Sequence, residues 1–473
     1  MKGNLRLVLF GLLGACGGAP GAADATMPQL PAWSKTLPDA SVMGARRGLV
    51  PARGIVHLHS PYSHDACDNM PRDPVTGAVD EPCLDDLRAA VCADHIDFAA
   101  LTDHDDTMAD EDFPTLFSMR GSDVAITDGS GAQTGSRQTC ADGHQVLWSV
   151  GSENTLMPIM LDRHVAAPDL QARHDLYNAD TADAMAAYRT AGGLAWIAHT
   201  EEHAIDELRA VAPDGVELYN LHANIDPKIR GPYLGLDPSG AIDAAVDFVP
   251  TEPGGPEPDL ALLSFLSVNQ PAIDRWALLL GDGKHVPGTA GSDAHENALP
   301  ILLSDGERGD SYRRVLRWFS NEVLVADPKD PQQIKAALAG GRVFATFEIM
   351  GTPAGFDARA VTAAGATVEL GGQVATSDGA SLVVDVPTVL GLDTSLPAPD
   401  IRAKVIYIAP GGAQTTVADG AGPQLTAPLA ATGAYRVEVS IVPHHLGPYL
   451  GSLGTGYADQ ELPWIYASPI YVN

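Results

Sequence analysis

Residues 54–65 read Gly54-Ile55-Val56-His57-Leu58-His59-Ser60-Pro61-Tyr62-Ser63-His64-Asp65. A short apolar run ends in two histidines at i and i+2, and a further histidine and an aspartate follow at once. Residues two apart on a strand project to the same side, so His57 and His59 present two imidazoles together. Such a pair suits a divalent metal ion. Standing alone it reads more simply as a buried, hydrogen-bonded pair, so its meaning rests on whether the chain repeats it.

The chain does repeat it. Residues 98–104 run into Thr102-Asp103-His104, residues 146–153 into Gly151-Ser152-Glu153, and residues 194–199 into Ala198-His199. Residues 216–220 form another such run, and residues 288–295 end in Gly291-Ser292-Asp293-Ala294-His295, with the i, i+2 spacing again. Helical patterns lie between several of them: Leu84, Leu87, Val91 and Cys92 mark one face, and residues 181–191 are Ala-rich. Continuous apolar strands alternating with helices imply a parallel sheet covered on both faces. Six such units fit a closed or nearly closed β/α barrel, whose active site lies at the carboxyl ends of the strands. Seven of the fifteen histidines (His57, His59, His64, His104, His164, His199 and His295) fall at or just past such ends. His144 does not. It precedes its strand, and at roughly 3.3 Å per residue it stands about 30 Å from Glu153, so it is excluded from the same centre.

These motifs, in this order over residues 54 to about 345, resemble those of the polymerase and histidinol phosphatase (PHP) superfamily. The resemblance implies a distorted β/α barrel over residues 53–345 holding two or three divalent ions, zinc, manganese or iron. It implies His57, His59, Glu153 and Asp293 as ligands of a first ion, with Glu153 bridging. It implies His104 and His295, with His64 or Asp65, for a second ion, and His164 and His199 for a third. Asp293, Glu153 and His199 are the residues expected to carry catalysis.

From about Thr346 the pattern changes. Alternating segments at 381–389, 402–409 and 435–442, punctuated by Gly, Pro and Asp, predict a small β-sandwich over residues 346–473. That part should supply no metal ligand, and His444 and His445 are read as solvated loop residues. The closing stretch, Pro463-Trp464-Ile465-Tyr466-Ala467-Ser468-Pro469-Ile470-Tyr471-Val472, resembles the tail of the carbaryl-hydrolase-like branch of the superfamily. The function readings are a phosphoesterase using a metal-bridging hydroxide, then a hydrolase of carbamate, ester or amide bonds, then a non-catalytic metal-binding surface lipoprotein.

At the other end, Lys2 and Arg6 precede a short apolar run that closes on Leu13-Gly14-Ala15-Cys16. This has the form of a secretory signal and resembles a bacterial lipobox, which implies lipidation at Cys16, export, and attachment to a membrane through lipid alone. Residues 17–52, rich in Gly, Ala and Pro, are read as a flexible tether. Cys67, Cys83, Cys92 and Cys140 make an even set, expected in an exported protein to form two disulfides with three possible pairings. Cys67 and Cys83 flank a Pro- and Gly-containing insertion where a staple would order a long loop, and the pairing Cys67–Cys83 with Cys92–Cys140 is preferred. Finally, 60 acidic against 29 basic residues leave a net charge of −31. That field repels nucleic acid and leaves a small-molecule ester or phosphoester as the expected substrate.

Overall fold

All six apolar runs form strands in the computed structural model, which describes residues 30–249 and 254–473. They are β1 (Val50–Ile55), β2 (Phe98–Leu101), β3 (Gln145–Val150), β5 (Leu194–Ile197), β6 (Gly215–Asn220) and β7 (Gly288–Gly291), with the short β4 (Met157–Ile159) between the third and fourth. Each is buried along most of its length, as parallel strands covered on both faces must be. β1, β2 and β3 are parallel neighbours in one sheet. β5, β6 and β7 are parallel neighbours in another, with β4 antiparallel on its edge. The ladders do not run on into one continuous barrel. Isolated bridges, Val150 to Leu161 and Leu58 to Ala294, join the two sheets at both sides. Every carboxyl strand end therefore faces the same region.

The first sheet is twelve-stranded and mixed. Beyond β1 it continues through β8 (Ser320–Val325) and β9 (Val343–Thr346) to β12 (Leu462–Val472), β11 (Gly433–Val442) and β10 (Asp400–Ile408). The expected boundary near residue 346 is thus not a break in hydrogen bonding: β12 pairs with β9 on one side and β11 on the other. The reason lies in β12 itself, which is buried from Trp464 to Val472 and belongs in a sheet interior. A four-stranded antiparallel sheet, including Asp357–Val361, Ser381–Asp385 and Gln424–Pro428, completes the carboxyl-terminal part. Trp33 to Asn473 form one compact unit, with Trp148, Trp196, Trp276, Trp318 and Trp464 fully buried.

The tether reading needs correction for residues 33–52. Trp33 donates its indole N–H to Asp259 at 2.8 Å and lies under the Arg317 guanidinium. Leu37 and Met43 are buried, and Val50 already begins β1. An average over a Gly-, Ala- and Pro-rich stretch hides these few large apolar anchors. The expected signal segment, Cys16 and tether residues 17–29 lie outside the described residues. Cys67 is bonded to Cys83 and Cys92 to Cys140. His445 also departs from expectation: it is buried, with Nε2 donating to the Met350 carbonyl at 3.0 Å.

Candidate metal centre

The strand ends bring together His57, His59, Asp65, His104, Glu153, His199, Asp293 and His295. His57 Nε2, His59 Nε2 and Asp293 Oδ1 form a near-equilateral triangle with edges of 3.2, 3.2 and 3.3 Å. Donors around one ion with bonds of about 2.1 Å stand roughly 3.0–3.4 Å apart, in octahedral or tetrahedral geometry. A second set adjoins it: Asp65 Oδ2 lies 3.6 Å from His104 Nε2 and 3.3 Å from His295 Nε2. Asp293 Oδ2 faces a third, at 3.0 Å from both His199 Nε2 and His222 Nδ1. Glu153 groups with His57 and His59; its Oε2 stands 3.1 Å from His104 Nδ1 and its Oε1 3.9 Å from His199 Nε2.

The outward nitrogens fix the direction in which the inward ones point. His57 Nδ1 donates to Glu217 at 2.7 Å. His59 Nδ1 donates to Ser63 Oγ, which itself donates to Asp65. His104 Nδ1 donates to the Glu153 carbonyl, and His295 Nδ1 to the Asp293 carbonyl. His199 Nδ1 lies 3.2 Å from Glu201, whose other oxygen accepts from Asn269. Five imidazoles are thus anchored through Nδ1 and aim Nε2 inward, the tautomer and orientation that a metal-ligating histidine requires.

The backbone is shaped to this end. His199 and Asp293 both sit in the left-handed region, at φ 45° and 51°, a conformation that costs energy in a residue with a β-carbon and concentrates at functional sites. Gly291 is required for another reason: a β-carbon there would stand 1.9 Å from Glu217 Oε1, displacing the carboxylate that orients His57.

Charge is compensated within the cluster. Burial disfavours the Asp293 carboxylate, but His57, His222 and His199 hold its pKa well below the usual range. Burial likewise opposes a charged His57, and Glu217 and Asp293 overcome it, raising its pKa well above normal. His59, buried against His295 and His104, is pushed well down. Protons and cations compete for these lone pairs.

Two candidates are not brought to the centre. His164 is bonded through both nitrogens, to the Tyr177 hydroxyl at 3.2 Å and the Glu111 carbonyl at 2.9 Å. It follows β4 on a loop that turns away from the strand ends. His64 is half exposed and pairs with Asp106, so of the two neighbours it is Asp65 that reaches the cluster. Two further residues belong to the centre. His222 takes the place next to His199 foreseen for His164. It stands two residues past β6, whose run was recognised although the residue beyond it was not. Glu217 lies inside the same strand, where one acidic residue in a buried run was the available signal. Among the described residues, none after 346 belongs to these donor groups. Comparisons with family models, with curated proteins and with solved structures found no match to this chain.

Proposed function

We propose that this protein is a divalent-metal-dependent hydrolase of the PHP type, acting on small-molecule esters, with phosphoesters as the first substrate class. The observation that carries the reading is the triangle of His57, His59 and Asp293, adjoined by the set His59, Asp65, His104 and His295 and by the set His199, His222 and Asp293. Asp293, with Oδ1 toward one set and Oδ2 toward another, supports two or three neighbouring ions rather than one closed structural site. Zinc, manganese and iron all fit an imidazole–carboxylate donor set. Bound there, such ions would turn water into a nucleophile near neutral pH and neutralise charge developing on the substrate. The chain's own part is to hold the donors: Glu217, Ser63, Glu201 and the carbonyls of Glu153 and Asp293 fix the imidazoles, and the carboxylates of Asp293, Glu153 and Asp65 offset cation charge.

A second reading, hydrolysis of uncharged carbamate, ester or amide substrates, is favoured by the adjoining cavity. It measures about 450 Å³ and is lined by Glu153, Asp180, His199, Glu202, His203 and Glu207, with no lysine or arginine among the described lining residues. An anionic substrate would find no cationic side chain there, so metal ions alone would attract it. Export and a lipid anchor at Cys16 remain part of the proposal. The two disulfides support an oxidising compartment, and no helix among the described residues is long and apolar enough to cross a membrane.

The test is a chelator-stripped protein reloaded with zinc, manganese or iron and assayed on phosphomonoesters, phosphodiesters and aryl carbamates. Hydrolysis should vanish on stripping and return on loading, and the preferred series names the bond class. A loaded protein inert toward all three would leave a metal-binding surface protein as the reading.

A further inference from the structure

At the opposite, amino end of β3 a separate group of donors converges. His144 precedes β3, His95 follows the helix Glu81–Ala93, and Asp39 precedes the short turn Ala40–Met43. The two imidazoles stack at 5.0 Å. His144 Nε2 donates to the Ile96 carbonyl at 2.9 Å, which leaves Nδ1 as the nitrogen available to a ligand. That nitrogen faces Asp39 Oδ1 at 3.6 Å. His95 Nε2 lies 3.0 Å from Asp142 Oδ2. His95 Nδ1 then faces the same Asp39 oxygen at 3.2 Å. It is shielded from water and makes no hydrogen bond. One oxygen of Asp39 and the Nδ1 atoms of both imidazoles thus converge on one point, close enough together to hold a single cation. His95 also holds a left-handed backbone, φ 46°, to reach this position.

We propose that Asp39, His95 and His144 form a second metal site, distinct from the strand-end centre, for a borderline transition-metal ion such as Zn²⁺ or Cu²⁺. The separations of 3.2 and 3.6 Å bracket the roughly 3.3 Å between ligands around a tetrahedral ion with bonds of about 2.0 Å. Imidazole donors select such ions over Mg²⁺ and Ca²⁺. Each histidine hands its other nitrogen to an outer acceptor, Asp142 or the Ile96 carbonyl, as metal-bound imidazoles do. Three aspartates, Asp39, Asp97 and Asp142, face one lysine, Lys329, around a cavity of about 390 Å³. An ion here ties the segment before β1 to the turn between Cys140 and β3, beside the Cys92–Cys140 disulfide.

The test counts zinc per chain by elemental analysis after stripping the full-length protein and dialysing it against Zn²⁺. His144→Gln and Asp39→Ala should each bind one equivalent fewer than wild type, read as the difference from wild type so that the strand-end centre cancels. Asp39 makes no capping hydrogen bond, so Asp39→Ala decides the matter if His144→Gln fails to fold. Asp293→Ala, measured alongside, reports on the strand-end centre alone, so failure there leaves the difference between wild type and Asp39→Ala intact. An unchanged zinc count in both variants would overturn the site in favour of two protonated imidazoles paired with carboxylates.

Discussion

Asp293 is the residue on which the strand-end centre turns, because its two oxygens face different donor sets, Oδ1 toward His57 and His59 and Oδ2 toward His199 and His222. Asp293→Ala should lower the rate by at least about three orders of magnitude, some 4 kcal/mol of barrier, and lower metal occupancy with it. Steady-state kinetics with parallel metal analysis checks this, and near-normal activity at full occupancy would misplace the site. Glu217→Gln is subtler. It keeps the shape but weakens the acceptor that orients His57, so metal affinity should fall about 10- to 100-fold, read by competition with a chelator of known affinity. His222 and His164 separate the observed third set from the one foreseen: His222→Ala should reduce metal content, and His164→Ala should not. Most of the inward-facing donors were legible because short motifs at strand ends expose them. His222 and Glu217 were not, because nothing local marks a residue two positions beyond a strand, or inside it, as facing a shared cavity.

At the scale of elements, strand and loop divide the labour. Strands end just short of the donors, with His57 two residues past β1 and Glu153 three past β3, while a fastened loop delivers Asp65. The loop after Asp65 is held by the Cys67–Cys83 bond and by Cys67 N–H donating to the His295 carbonyl at 2.8 Å. Replacing Cys67 and Cys83 by alanine should cost about 3 kcal/mol, and replacing Cys92 and Cys140 about 4 kcal/mol, since their sequence separations of 16 and 48 close loops of different length. Denaturant unfolding of the two double variants measures both. The 67–83 variant should also weaken metal binding, through Asp65, whereas the 92–140 variant should leave the strand-end centre loaded. The strands themselves were readable from unbroken apolar runs. Their division between two sheets was not, because register and bridging depend on partners far apart in the chain.

For the whole molecule, the carboxyl-terminal part is not an appendage. β12 lies inside the twelve-stranded sheet, and the Trp464 carbonyl accepts from Phe347 N–H at 2.9 Å. A chain ending near Phe347 would bare β9 as an open edge, a template for aggregation. It should be recovered as oligomer or precipitate rather than monomer, as size-exclusion chromatography will show, even though it retains every donor of the strand-end centre. A second long-range tie is Asp259, which joins Trp33, Arg313 and Arg314. Burial pushes its carboxyl up, but Arg313, Arg317 and Arg314 hold it at about 2. Its folded pKa lies below its unfolded value, so its contribution, about 2 kcal/mol, is present above pH 4 and lost as pH falls toward 2. Asp259→Asn should cost about 3 kcal/mol at neutral pH by stranding a buried arginine, and should flatten the acid limb of the stability curve. Equal acid sensitivity in both proteins would contradict this assignment.

The sequence by itself determined the strands, the side on which His57 and His59 project, and the presence of imidazoles and carboxylates at successive strand ends, because alternation and apolar runs are local properties of the chain. Tertiary structure alone decided which donors share an ion-sized gap, that Asp65 rather than His64 turns inward, that His222 rather than His164 completes the third set, and that the last strand is built into the first sheet. These are settled by through-space distances of about 3 Å between residues up to hundreds of positions apart, which no local pattern encodes.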